Sequence, residues 1–222
     1  MNQKIKNLFY LLSLILFPAM SQAVPPVAEL HTILNNIHSL QAGFSESVSK
    51  PNGQTLPAIK GQVYLQRPAQ FRWEIQQPSK QLLITDGENF YNYDIELEQV
   101  TIQKLNRAVM STPIFLLSMP AEEIEKYFTV IKKSSPPDVQ WFHLQVKEHN
   151  NNEQMQLFES IEMIFKQGAL TTMSFMDNLG QNAELQFHNL VINRKLSAKL
   201  FSFNSPKNVD VIDWRSKFEE LG

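Results

Sequence analysis

Gln70-Phe71-Arg72-Trp73-Glu74-Ile75-Gln76 alternates polar and apolar residues without a break. A period of two marks a β-strand with one buried face, so Phe71, Trp73 and Ile75 point one way and Arg72, Glu74 and Gln76 the other. The rhythm returns downstream. Phe142, Leu144 and Val146 alternate with Trp141, His143 and Gln145; Ile161, Met163 and Phe165 repeat it, then Met173 with Phe175, and Leu185 with Phe187. Turn-forming residues separate the runs at Pro51-Asn52-Gly53, Asp86-Gly87, Asn150 to Asn152, Gln167-Gly168 and Asn178 to Gly180. Short strands joined by tight polar turns predict an antiparallel meander from Gly61 onward. A strand-helix-strand rhythm is missing, which argues against a parallel α/β sheet.

Upstream of the meander the period is helical. Val27, Leu30, Ile33, Leu34, Ile37 and Leu40 form one apolar stripe, with Pro25 and Pro26 before it and Gly43 after it, and the spacing predicts a helix over Val27 to Gln41. A second interruption begins at Ser111-Thr112-Pro113, an N-cap followed by a first-turn proline. The residues behind it, Ile114, Phe115, Leu116, Leu117 and Met119, are apolar almost all round. Such a helix must be covered on every side, so it lies between the sheet and another layer or closes a cavity. A short helix over Ala121 to Lys126 comes after Pro120. The expected fold is therefore α+β and mainly β: one long curved antiparallel sheet with N-terminal and central helices against its concave face.

The first 23 residues stand apart. Lys4 and Lys6 precede the apolar run Leu8 to Phe17, Pro18 breaks it, and Ser21-Gln22-Ala23 offers the small residues of a cleavage site. That is the pattern of a secretory signal cut after Ala23. Ten apolar residues make about 15 Å of helix against a hydrocarbon core of roughly 30 Å, too short for a membrane anchor. Removing 23 residues from 222 leaves 199, expected to form a single domain over 24–222. With the two leader lysines gone, 18 basic residues face 22 acidic ones, a balance that gives no support for nucleic-acid binding. There is no cysteine, which excludes disulfides, thiolate metal sites, cysteine nucleophiles and a lipid-bearing cysteine at the mature N-terminus. Phe is abundant (15) and Gly sparse (7), the profile of a chain with much apolar interior to line.

Chemistry-bearing constellations are lacking. His31, His38, His143, His149 and His188 are scattered, with neither a His-x-His pair on one strand nor a carboxylate cluster beside any of them, so no metal or other cofactor is expected. The nucleophile elbow, the phosphate loop and the dinucleotide glycine pattern are absent, and an enzyme is not expected. Glu122, Glu123 and Glu125 read as a solvated helix face near an N-terminus.

Leu65-Gln66-Arg67-Pro68-Ala69-Gln70-Phe71-Arg72-Trp73 resembles the LolA family, periplasmic carriers of lipoproteins between the inner and outer membranes of Gram-negative bacteria; the shared pattern is an arginine-proline pair, an aromatic, a spacer and a tryptophan. The resemblance runs on through Gln77-Pro78, Ile84-Thr85-Asp86-Gly87, Phe90-Tyr91-Asn92-Tyr93, Glu98-Gln99-Val100-Thr101 and Ser111-Thr112-Pro113. Leu40-Gln41-Ala42-Gly43-Phe44 takes the place of the end of the family's first helix. Leu200-Phe201-Ser202-Phe203, Pro206 and Val209-Asp210-Val211 look like the family's last strand and its exit. Ser134 to Asn152 matches the family poorly, and the tail Trp214 to Gly222 looks individual.

This resemblance implies an incomplete antiparallel β-barrel whose open side is closed by helices over a hydrophobic cavity. It makes Arg67 a latch that hydrogen-bonds backbone groups of the helical lid and holds the empty carrier shut. A guanidinium has five donors and keeps its charge, so near an apolar interior it needs acceptors such as helix-end carbonyls; from the residues alone, a surface arginine paired with a carboxylate is the other reading. Phe71, Trp73, Leu83, Phe90, Tyr93, Ile114, Phe115, Leu117, Ile161, Met163, Phe175 and Phe187 become candidates for lipid contact. For Phe71 and Trp73, plain core packing explains the pattern equally well. Implied partners are acylated lipoproteins, an inner-membrane ABC-type releasing complex and an outer-membrane receptor that is itself a lipoprotein, with the chain working as a monomer in the periplasm. A binding module for another lipid or glycolipid is the alternative.

Overall fold

The computed structural model describes residues 24–105, 116–117, 120–147 and 158–215. The expected signal segment, the helix opening at Ser111-Thr112-Pro113, the turn at Asn150 to Asn152 and residues 216–222 lie outside them.

Helix α1 (Pro26–Asn35) precedes six strands in sequence: β1 (Ser39–Ser49), β2 (Ile59–Gln66), β3 (Gln70–Gln77), β4 (Gln81–Asp86), β5 (Asn89–Asp94) and β6 (Gln99–Lys104). Helix α2 (Ala121–Tyr127) leads straight into β7 (Phe128–Lys133), followed by β8 (Val139–Val146), β9 (Phe158–Lys166), β10 (Ala169–Asp177) and β11 (Asn182–Ile192). A 3-10 turn (Ala198–Phe201) and a short strand, β12 (Asp210–Asp213), come last. Among the described residues the strands form one twelve-stranded sheet in the order β12-β6-β5-β4-β3-β2-β1-β11-β10-β9-β8-β7. Two meanders thus meet along one seam, β1 against β11. Pairing is antiparallel throughout except that β12 runs parallel to β6.

Register decides which side chains share the inner face. Phe71 opposes Leu65, Trp73 opposes Val63 and Leu83, and Phe44 opposes Phe187. Ile161 stands between Leu144 and Phe175, and Met163 between Phe142 and Met173. Directly opposed residues project to the same side, so one apolar surface crosses the seam from β4 to β8. Phe44, Phe71, Phe128, Phe142 and Phe165 are among its fully buried side chains, each stabilising the fold by about 1.5–3 kcal/mol. The cover comes from α1 through Leu30 and Leu34, from α2 through Ile124, and from Leu116 and Leu117, all buried in the same cluster. The expected mainly-β fold, a curved open sheet with few helices, is what the chain adopts.

A smaller second core sits on the outer face. Ile84, Val100 and Ile102 are buried there, opposite Arg72, Tyr93 and Tyr91 rather than among the inner aromatics. The segment from Ala198 packs over β3 and β4. Phe201 is buried, Phe203 stacks on Tyr91 at 5.1 Å and meets Tyr93 edge-on at 5.8 Å, and Arg72 Nη1 donates to the Leu200 carbonyl at 3.3 Å.

Two sequence expectations are corrected. The first helix does not reach Gln41; it ends at Asn35, and Ser39 onward is strand. Leu40 fits both periods, but Leu40, Ala42 and Phe44 also alternate, and β1 is paired along both margins, by β2 and β11. Two ladders outweigh one more helical turn. Asn193 completes the break: its side chain donates to the Asn36 carbonyl at 2.8 Å and accepts from the His38 amide at 2.8 Å, replacing bonds a longer helix would have made. The second correction concerns Leu200 to Phe203, which is not the last strand. Ser197 Oγ accepts from the Lys199 amide and starts the 3-10 turn, and the strand forms at Asp210–Asp213 instead. The short central helix expected over Ala121 to Lys126 is present as α2.

Candidate functional site

The sheet's inner face brings most of the expected lipid contacts together. Phe71, Trp73, Phe90, Leu117, Ile161 and Met163 are buried in one cluster, with Leu83, Phe175 and Phe187 half-buried against it. Ile114 and Phe115 lie outside the described residues. Tyr93 does not belong to this face. It stands three residues from Phe90 on the same strand, and an odd offset in a period of two puts it on the outer side, against Phe203.

Arg67 sits in the turn between β2 and β3, at the end of the sheet where α1 gives way to β1. Its Nε donates to the Ile37 carbonyl at 3.0 Å, and its backbone amide donates to the His38 carbonyl at 2.9 Å. Ile37 is two residues past the end of α1, where carbonyls have lost their helical partners. Burial pulls the guanidinium below its ordinary value, and the charge of Glu122 works against that. Glu122 opens α2 and accepts from Asn35 Nδ2 of α1 at 3.1 Å. Its carboxyl is held below the usual range, first by its own backbone amide, then by Asn35, with His31 and Arg67 adding to the effect. At the other end of α1, Glu29 accepts from Lys132 of β7 and from Gln140 of β8 at 2.9 Å. The α1 region is therefore tied to the sheet through Arg67 and Glu29 and to α2 through Asn35, around an apolar contact.

Sequence reading missed Asn35, Glu122 and Asn193 in this fastening. Glu122 had a visible signal, an acidic residue in a helix's first turn, but its partners are 87 positions away for Asn35 and unknowable from spacing. The outer face holds another such case. His143 and Glu162 face each other across β8 and β9, with His143 Nδ1 2.7 Å from Glu162 Oε1 and Trp141 Nε1 donating to the same carboxylate. Among the described residues no three His, Asp or Glu side chains gather as a metal site, and no helix is long and apolar enough to cross a membrane.

The family model described as Outer membrane lipoprotein carrier protein LolA matches residues 35–204, a span that includes Arg67, the inner face and α2. The chain belongs to the LolA family. Among its LolA relatives, the outer-membrane lipoprotein carrier protein of Pseudomonas aeruginosa (strain UCBPP-PA14) is 37% identical over 186 residues, covering 84% of this chain and 86% of its own length. The protein of the same name from Legionella pneumophila (strain Lens) is 33% identical over 206 residues, covering 93% and 98%. The fold is shared with an uncharacterized conserved protein from Thermus thermophilus, whose crystal structure superposes with a TM-score of 0.51 at 14% identity, over 83% of this chain and 99% of that one.

Proposed function

We propose that this chain is a periplasmic carrier: it takes the acyl chains of lipoproteins against the concave face of its sheet and shuttles them from the inner membrane to an outer-membrane receptor. One observation carries the reading. In a member of the LolA family, a broad apolar face is roofed by helices that are fastened by individual hydrogen bonds at Ile37, Asn35 and Glu29. Lifting this roof on loading breaks those bonds and the apolar contacts of Leu30, Leu34 and Ile124 while the strand ladders stay paired. Residues 24–222 act as one domain after removal of a leader ending at Ala23, without cofactor and without catalysis.

The energetics require a moderate grip. At about 0.8 kcal/mol per CH₂, three acyl chains with roughly forty-five such groups represent about 36 kcal/mol of transfer free energy. Non-covalent affinity saturates near 21 kcal/mol. A carrier that held every methylene as tightly as transfer allows would never release its load. Opposing work of a few kcal/mol, supplied by breaking the helix contacts and the Arg67 hydrogen bonds on loading and re-forming them on release, brings the loaded state close to that of a membrane and makes handover possible. In this role Arg67 is the latch, and Phe71, Trp73, Leu83, Phe90, Leu117, Ile161, Met163, Phe175 and Phe187, with Ile114 and Phe115, supply the surface. The partners are an inner-membrane ABC-type releasing complex upstream and a lipoprotein receptor downstream, with the carrier a monomer between them.

The test is depletion of the protein in its own cell, followed by fractionation of the membranes. Lipoproteins accumulating at the inner membrane support the reading; normal sorting rejects it. Native mass spectrometry of the protein taken from periplasm separates the alternative, since a glycolipid or other lipid differs from an acylated polypeptide in mass.

A further inference from the structure

Glu46 lies on the concave side of the sheet. It comes two positions after Phe44 on β1 and stands opposite Ile59 on β2 and Leu185 on β11. Alternation aligns it with Leu40, Ala42 and Phe44, all buried. Its neighbours on that side are therefore Phe44, Val48, Ile59 and Leu185, a wholly apolar ring. Glu46 is half-buried among them, and burial pushes its carboxyl above its ordinary value of 4.5 with neither a donor nor a cation to offset it. Among the described residues it makes no hydrogen bond and no ion pair. The contrast with the other half-buried glutamates is plain: Glu29 has Lys132 and Gln140, Glu74 has Arg72, and Glu162 has Trp141 and His143.

A half-buried carboxylate in apolar surroundings carries a charge penalty that glutamine avoids, and leucine avoids the polar cost altogether. The oxygens of Glu46 are not sealed from solvent, so a donor arriving from outside can reach them. The partner must bring N–H or O–H donors to a site surrounded by apolar side chains. An acylated peptide does this: at the junction of chains and polypeptide, backbone amides lie next to methylenes. The ester region of a phospholipid offers acceptors only, and the hydroxyls or ammonium of its headgroup lie beyond a phosphate that a carboxylate repels.

We propose that Glu46 is a cargo-selecting residue, accepting hydrogen bonds from the first backbone amides of the acylated peptide while disfavouring anionic phospholipids of equal chain length. The assignment rests on the carrier reading above. The apolar side chains supply affinity for any acyl chain; Glu46 supplies the difference between a lipopeptide and the bulk lipid that surrounds it in either membrane. A charge-assisted bond to an amide strengthens the wanted complex, and like-charge proximity weakens the unwanted one.

The experiment uses the mature protein, a synthetic triacylated lipopeptide, and phosphatidylglycerol and phosphatidylethanolamine of matching chains. Binding is compared for the wild type, Glu46→Leu and Glu46→Gln. The wild type is expected to prefer the lipopeptide to phosphatidylglycerol by about tenfold or more, as one well-placed charged hydrogen bond allows. Glu46→Leu abolishes that preference by losing lipopeptide and gaining phospholipid. Glu46→Gln keeps an acceptor oxygen without the charge, so it retains lipopeptide binding within about threefold while admitting phosphatidylglycerol. Methylating the first peptide nitrogens of the lipopeptide lowers wild-type binding to the Glu46→Leu level. An unchanged preference in Glu46→Leu, or indifference to N-methylation, overturns the proposal. So does a loss confined to phosphatidylethanolamine, which assigns the contact to an ammonium rather than an amide. A wild type that takes up lipopeptide without preference rejects only the role of Glu46; one that takes up no acylated ligand rejects the carrier reading with it.

Discussion

Phe44 lies flat on Trp73, their ring centroids 3.7 Å apart and their planes 21° from parallel, and Gly61 makes the room. Gly61 is Phe44's partner across β1 and β2. A Cβ at that position would fall 1.8 Å from the Glu74 carbonyl oxygen and 2.8 Å from the Phe44 ring. Gly61→Ala is thus expected to destabilise the protein by about 1–3 kcal/mol through overpacking, lowering Tm by roughly 2–12 °C for a chain of this size. Thermal unfolding followed by circular dichroism measures it, and an unaltered Tm would show that the stack does not depend on the glycine.

Arg67→Leu removes the bond to the Ile37 carbonyl and the charge facing Glu122. The empty form should lose about 1.5–3 kcal/mol, the usual worth of a hydrogen bond to a charged group. Loading should then be favoured and handover slowed. Arg67→Lys keeps the charge but not the planar donor, so its transfer rate is expected between those of wild type and leucine. Transfer of a labelled lipopeptide from carrier to acceptor vesicles gives the rate; equal rates for all three proteins remove the latch.

Asn193 tests the other fastening. Its φ of 58° lies in the left-handed region, which asparagine tolerates, and its side chain bridges Asn36 and His38. Asn193→Gly loses both bonds, for about 1–2 kcal/mol. Asn193→Ala loses them too and adds the cost of a Cβ in that conformation, roughly 1 kcal/mol more. Chemical denaturation should rank wild type above glycine and glycine above alanine; a reversed order for the two variants contradicts the backbone account.

The pH dependence arises from Glu46. Its folded-state carboxyl titrates above 4.5 because burial disfavours the charge. The folded protein therefore holds this proton more readily than the unfolded chain, and that contribution is complete below the unfolded value and lost as pH rises through the folded one. Near pH 7.5 the charged residue burdens the fold, so Glu46→Gln should raise Tm there by roughly 2–4 °C, corresponding to about 1 kcal/mol. Repeated at about pH 3, well below the unfolded value, where both states are protonated, the two proteins should melt together. A gain that persists in acid would point to a cause other than charge.

The inner faces of β3, β8, β9, β10 and β11 were legible because alternation in a half-buried sheet is written directly into Phe71-Arg72-Trp73 or Ile161-Glu162-Met163. What the sequence hid depends on pairing at a distance. Leu40 fits a helix as well as a strand, and only the ladders from Tyr64 and Val191 beside Gln41 decide for the strand. Tyr93 shares a motif with Phe90 but not a face. At the candidate site Arg67 stood out through its motif, whereas Asn193 meets Asn36 across 157 positions and has no local signal. Glu46 was invisible for another reason: a glutamate between two serines reads as solvent-facing until Ile59 and Leu185 are placed on either side of it.

Among the described residues the sheet does not close on itself, and its outermost strands are β7 and β12. Unpaired margins invite another copy to add its own strand and begin a fibre. Both margins here are short, six and four residues, and both are guarded by charge, Lys132 and Lys133 on one, Asp210 and Asp213 on the other. Short margins carrying charge of this kind disfavour edge-to-edge addition of a second sheet.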